Sequence, residues 1–197
     1  IPLGIEIFRQ VWEFLATGKA QRLGITHIEV NLSMAQFDED NPAAFVSEIM
    51  SKYQIKSSEI NLEITETASQ STKMAVIRNM NKLIERGVYF SLDDFGTGRS
   101  NLDYFVEMPV NVIKFDYGFT QRYFKFEKAK FVMEHVIGLM HQMGMQIVSE
   151  GVETKEQFEA MKNLGVEYIQ GFYFSKPLPQ DEFIRFLENN QKKIAAE

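Results

Sequence analysis

The chain contains no cysteine in its 197 residues. That excludes disulfides, thiolate nucleophiles and zinc–cysteine centres, and it fits a reducing compartment. Only three histidines are present, His27, His135 and His141. None lies in the strand-end segments described below, which argues against histidine-based catalysis. No apolar run approaches the roughly 20 residues that a membrane span requires. The opening "IPLGIEIFRQVWEF" lacks a basic leader and mixes charges into its apolar stretch, unlike a signal peptide. Basic runs are missing too: 21 Lys and Arg stand against 27 Asp and Glu, a formal net charge of −6. A binder of duplex nucleic acid carries a cationic face instead. An acidic protein still binds a phosphate ligand where metal ions reverse the local charge.

What is present reads as one globular domain spanning 1–197. Hydrophobic residues make up 45% of the chain and include 17 Phe, enough for one sizeable core. Short apolar runs alternate with longer amphipathic ones. The strand-like runs are 27-HIEVNLS-33, 59-EINLEITE-66, 88-VYFSLDDF-95, 110-VNVIKFD-116, 146-QIVSEG-151 and 168-YIQGF-172. Helical patterns are expected over about 5–22, 43–54, 71–86, 100–107, 122–143, 154–164 and 180–190. Gly24, Gly87, Gly144 and Gly165 stand where helices end, and Ser71, Ser100 and Thr154 stand where N-caps belong. Met133, Ile137 and Met140 have helical spacing and belong to the core. Alternating βα units with short links predict a parallel sheet, either open and doubly wound or closed as a barrel.

The polar residues decide between these. Every predicted strand carries an acid or amide at or near its C-terminal end: Asn31, Glu63 with Glu66, Asp93 with Asp94, Lys114 with Asp116, Glu150, and Gln170. A lone acid at a strand end is ordinarily a solvated loop residue or a helix cap. Six consecutive strands ending this way point to one shared mouth, as in a (β/α)8 barrel; an open sheet would concentrate such groups at its switch point. Acids with one amide, and neither Cys nor His, form a hard-oxygen donor set suited to Mg²⁺ or Mn²⁺. The adjacent Asp93 and Asp94 can bridge two such ions, with Lys114 offsetting charge on a transferring phosphoryl group. The "GTGRS" that follows Asp94 lacks the spacing and the Gly-Lys-Ser/Thr of a P-loop.

Six segments, "VNLS" (30–33), "LEITET" (62–67), "LDDFGTGRSNLDYF" (92–105), "MPVNVIKFD" (108–116), "VSEGVETKEQ" (148–157) and "QGFYFSKPLP" (170–179), occur in an order and spacing that resembles the EAL domain family. Members of that family are bacterial phosphodiesterases that cleave cyclic di-GMP to linear pGpG. The resemblance implies a (β/α)8 TIM-type barrel, with the family's first two strands and its Glu-Ala-Leu motif missing from this chain. It also implies a loop deleted, or residues missing, between Leu3 and Gly4. Asn31, Glu63 and Asp93 match ligands of one metal; Asp93, Asp94 and Glu150 match ligands of the second, with Mg²⁺ or Mn²⁺ at both. Glu150 matches the general base and Lys114 the water-orienting cation. Asp116 and Gln170 match site-lining residues, Gln170 facing substrate, while Glu66 and Glu153 match acids that hold the loop after Asp94. The same likeness implies a cytoplasmic homodimer fused to sensory or GGDEF-type domains, with any membrane tethering supplied by those. The alternative it leaves is a receptor or interaction module that binds cyclic di-GMP or a protein without turnover.

Overall fold

The computed structural model describes residues 2–32, 42–65, 73–97 and 108–194. Six strands alternate with helices in chain order: β1 (Ile28–Asn31), β2 (Ile60–Thr65), β3 (Tyr89–Phe95), β4 (Val112–Phe115), β5 (Gln146–Ser149) and β6 (Tyr168–Ile169). The helices are α1 (Pro2–Ala16), α2 (Lys19–Arg22), α3 (Pro42–Tyr53), α4 (Lys73–Ile84), α5 (Tyr117–Lys125), α6 (Glu127–Gln142), α7 (Lys155–Asn163) and α8 (Gln180–Ile194). All strands are parallel and each pairs with its sequence neighbour, in the order β1-β2-β3-β4-β5-β6. A doubly wound sheet would reverse that order at a switch point. The uninterrupted order is that of a barrel wall, here of six strands among the described residues.

Periodicity explains the layers. Ile60, Leu62 and Ile64 alternate with Asn61 and Glu63 along β2, and Ile113 and Phe115 alternate with Lys114 along β4. The apolar set is buried against the helices, whose inward faces supply Phe8 and Trp12 from α1, Met80 and Leu83 from α4, and Met133, Ile137 and Met140 from α6. The core therefore lies outside the sheet, and the polar alternates face the concave side. The curvature can be read from Lys114 on β4, whose ammonium lies 3.5 Å from Glu29 on β1. In a flat sheet those strands would stand three spacings, roughly 14 Å, apart. The two outer strands come round to face each other: the rings of His27, just before β1, and Tyr168 on β6 meet edge-on at 6.1 Å. Gln191 of α8 donates to the Arg22 carbonyl at 3.2 Å. A gap of about 360 Å³, lined by Ile28, Glu29, Val148 and Ile169 among others, separates the two edges.

Two helix expectations are corrected. The pattern over 122–143 is two helices, because Asp116 starts one early and Phe126 ends it in extended geometry (φ −135, ψ 126). The Asp116 carboxylate accepts from the backbone N–H groups of Gly118 and Phe119 at 2.7 and 2.9 Å, so α5 begins at Tyr117. The single pattern over 5–22 is likewise broken, at Gly18, which has φ 65. Gly24, Gly87, Gly144 and Gly165 all have positive φ where helices stop, and Thr154 caps α7 through Gln157. Helix α1 runs through Leu3 and Gly4. Ser71, Ser100 and the helix expected over 100–107 lie outside the described residues.

Candidate active site

The concave face gathers its charges around Lys114, which is 4% exposed. Its ammonium donates to Glu63 of β2. It lies 2.9 Å from Glu150 after β5, 3.5 Å from Glu29 of β1 and 3.9 Å from Asp93 of β3. Side chains from five positions around the wall thus meet at one ammonium. Four carboxylates face one cation, an excess of three negative charges (4 − 1 = 3) if all ionise.

Burial and crowding shift these groups as elementary electrostatics requires. Burial lifts the Glu63 carboxyl to about 7, Lys114 pulling against it and Glu29 and Asp93 adding to the rise. Glu150 is raised for the same first reason, with Lys114 opposing and Asp93 and Asp94 adding. Burial alone would lower the Lys114 ammonium; Glu63, Glu150 and Glu29 together outweigh it and hold the ammonium above the ordinary lysine range. Lys114 is therefore the fixed charge, and Glu63 and Glu150 are the groups whose protonation burial favours.

The local backbone explains the Asp-Asp pair. Neighbours in a regular strand point to opposite faces. Between Leu92 and Phe95 the β3–β4 register shifts, and Asp94 adopts φ 61. Such a bulge re-aims a side chain. Asp94 accordingly sits in the field of Asp93, Asp116 and Lys114, and its pKa is raised, first by burial and then by the two acids. Its N–H donates to Asp93 Oδ1 at 2.9 Å. After β5, Gly151 (φ 72) lets the chain turn where a Cβ would meet the Tyr117 ring. The Gly151 carbonyl accepts from Gln121 at 2.8 Å, and Gln121 is tied to Gln157. Glu150 is thus mounted on a braced turn.

The remaining expected site residues are placed as follows. Asn31 ends β1, exposed, in register with Glu63. Asp116 caps α5, with Arg122 at 4.0 Å. Gln170, exposed just beyond β6, lines the gap facing β1. Glu153 is exposed, its N–H bonded to Gln157 Oε1 at 2.7 Å. Glu66, and the loop it is expected to hold beyond Thr97, lie outside the described residues. Glu29 was missed by the strand-end pattern, because it lies two residues short of the end of β1. Alternation placed it on the same face as Asn31, and that signal was available.

Among the described residues, no three acids are already drawn around a common point that an ion would take; they close on Lys114 instead. The chemistry nonetheless fits divalent cations. The donors are oxygen throughout, carry surplus negative charge, and include a carboxyl whose pKa burial raises to about 7. Asn31, Glu63, Asp93, Asp94 and Glu150 are the residues that would hold them. No helix of the described residues is long and apolar enough to cross a membrane.

Comparisons with known proteins bear on the fold and the family. The oxygen sensor protein DosP of Escherichia coli is 33% identical over 180 residues, 91% of this chain and 22% of its own length. The cyclic di-GMP phosphodiesterase RocR of Pseudomonas aeruginosa is 29% identical over 181 residues, 89% of this chain and 46% of its own. The chain thus spans less than half of either relative. The solved EAL enzyme Bd1971, in its cAMP- and cyclic-di-GMP-bound form, superposes with a TM-score of 0.87 at 30% identity, covering 95% of this chain and 52% of that one. The model of the EAL domain matches residues 2–177, and this chain belongs to the EAL domain family.

Proposed function

We propose that the chain carries a cyclic di-GMP phosphodiesterase site that opens one phosphodiester to yield linear pGpG. The observation that carries this reading is the convergence of Glu63, Asp93 and Glu150 on Lys114 at the C-terminal mouth of a barrel wall, in a family that includes named cyclic di-GMP phosphodiesterases. Two ions, Mg²⁺ or Mn²⁺, would supply Lewis acidity and an ionisable water when bound to Asn31, Glu63, Asp93, Asp94 and Glu150.

The chain's own residues do the rest. Glu150 takes the proton of the attacking water. The water oxygen–phosphorus bond forms in line with the ester bond that breaks. Lys114 remains charged throughout and offsets negative charge as it builds on the phosphoryl oxygens. Its burial makes that charge count for more than it would in water. Gln170 stands beyond β6 on the concave side, where it would meet the dinucleotide, and Asp116 holds α5 beneath the same rim.

Incubating the complete polypeptide with cyclic di-GMP and Mg²⁺ or Mn²⁺, then resolving products by chromatography, tests the reading. Formation of pGpG is expected. Tight binding of cyclic di-GMP with no product would assign the chain to the receptor class instead.

A further inference from the structure

Glu29 is the carboxylate around Lys114 that the reading above leaves without a role. An ammonium has three N–H donors. Of the four acids near it, Glu63, Asp93 and Glu150 are also the groups that would turn to metal ions. Glu29 differs in position: in register it pairs with Asn61, one step below the Asn31–Glu63 pair, so it lies on the side of the ammonium away from the mouth. It also differs in support. Its Oε1 accepts from Asn61 Nδ2 at 3.2 Å and lies 3.5 Å from Ser91 Oγ, while Oε2 faces Lys114 at 3.5 Å. Asn61 and Ser91, 2% and 0% exposed, are themselves bonded at 2.6 Å.

The plainer account makes Glu29 a solvated acid at the rim of the cavity of about 290 Å³ that it lines with Thr26, His27 and Tyr89. That account leaves the buried pair beneath it unexplained. Burying an amide and a hydroxyl is costly unless each is bonded, and here the Asn61 amide nitrogen donates to Ser91 Oγ and to Glu29 Oε1, while Asn61 Oδ1 has no partner among the described residues. The pair fixes the carboxylate, and the fixed carboxylate aims its free oxygen at the ammonium.

We propose that Glu29 is a positioning residue for Lys114: an anchor from below that keeps the ammonium oriented when Glu63, Asp93 and Glu150 are engaged elsewhere. Its effect on rate rests on the phosphodiesterase reading; the anchoring itself does not. Glu29→Gln keeps the shape and the bond from Asn61 and removes the charge, and Glu29→Asp keeps the charge. With cyclic di-GMP and Mn²⁺, Glu29→Gln in the complete polypeptide is expected to lose about 10- to 100-fold in kcat. KM should change little, and Glu29→Asp should recover most of the rate at an unchanged melting temperature.

A second readout needs no turnover. In protein labelled with ¹⁵N-lysine, the Lys114 ammonium signal, assigned by its loss in Lys114→Arg, should exchange its protons with water several-fold faster in Glu29→Gln. Wild-type kcat together with an unchanged exchange rate in Glu29→Gln would overturn the proposal. If the parent protein makes no pGpG, the phosphodiesterase reading falls, and the exchange measurement alone then decides whether Glu29 anchors Lys114.

Discussion

Lys114 is surrounded by acids that would repel one another without it. Replacing it by Met leaves their buried charge uncompensated, and losing one partner of a buried ion pair costs about 3–5 kcal/mol. Lys114→Met is therefore expected to lower the melting temperature sharply in metal-free buffer, with part of the loss restored by Mn²⁺; a scan with and without the ion checks it. Glu150→Gln and Asp93→Asn remove groups given chemical roles. Each is expected to abolish pGpG formation while far-UV circular dichroism stays native, and a near-normal rate in either variant would break the role assignment. Asp94 poses a different question, because φ 61 is uncommon for a residue with a side chain. Asn tolerates that conformation and β-branched residues do not, so Asp94→Val should cost roughly 1–3 kcal/mol in urea denaturation and Asp94→Asn far less.

The elements show how much could be read in advance. The six strands fall within a few residues of their expected spans, since period-two alternation between buried apolar and inward polar residues is strong in β2 and β4. The convergence of Glu63, Asp93, Lys114 and Glu150 followed from their common position at strand ends. Two features were not legible. The break at Phe126 depends on a cap at Asp116, a residue that the family resemblance assigns to the lining of the site. The bulge at Asp93–Asp94 is a pairing irregularity between β3 and β4, which one strand's own sequence does not display. Glu29 was legible by alternation, on the same face as Asn31, but a strand-end pattern passes over it. Asp116 now carries a prediction of its own: Asp116→Ala removes two N-terminal hydrogen bonds of α5. It should cost about 1 kcal/mol of stability, measurable in the denaturation midpoint.

For the molecule as a whole, acid strength and folding are linked. Glu63 binds a proton more tightly in the folded chain, with its pKa near 7, than it does unfolded. Its contribution to metal-free stability is thus fully present below about pH 4.5 and is lost as pH rises through 7. Glu150 and Asp94 are raised and act in the same direction, while Lys114 stays charged across this window. Melting in a chelator should therefore be higher at pH 5.5 than at pH 8, with Glu63 alone worth on the order of 2 kcal/mol between those values. Mg²⁺ or Mn²⁺ should shrink or invert that difference.

The same lysine has a further implication. A protein that houses its own internal counter-ion can keep the pocket assembled before any inorganic ion arrives, so folding and loading become separable events. The arrangement also makes the ammonium a rival for the same oxygens, and tight metal capture is exchanged for a site that waits ready-built.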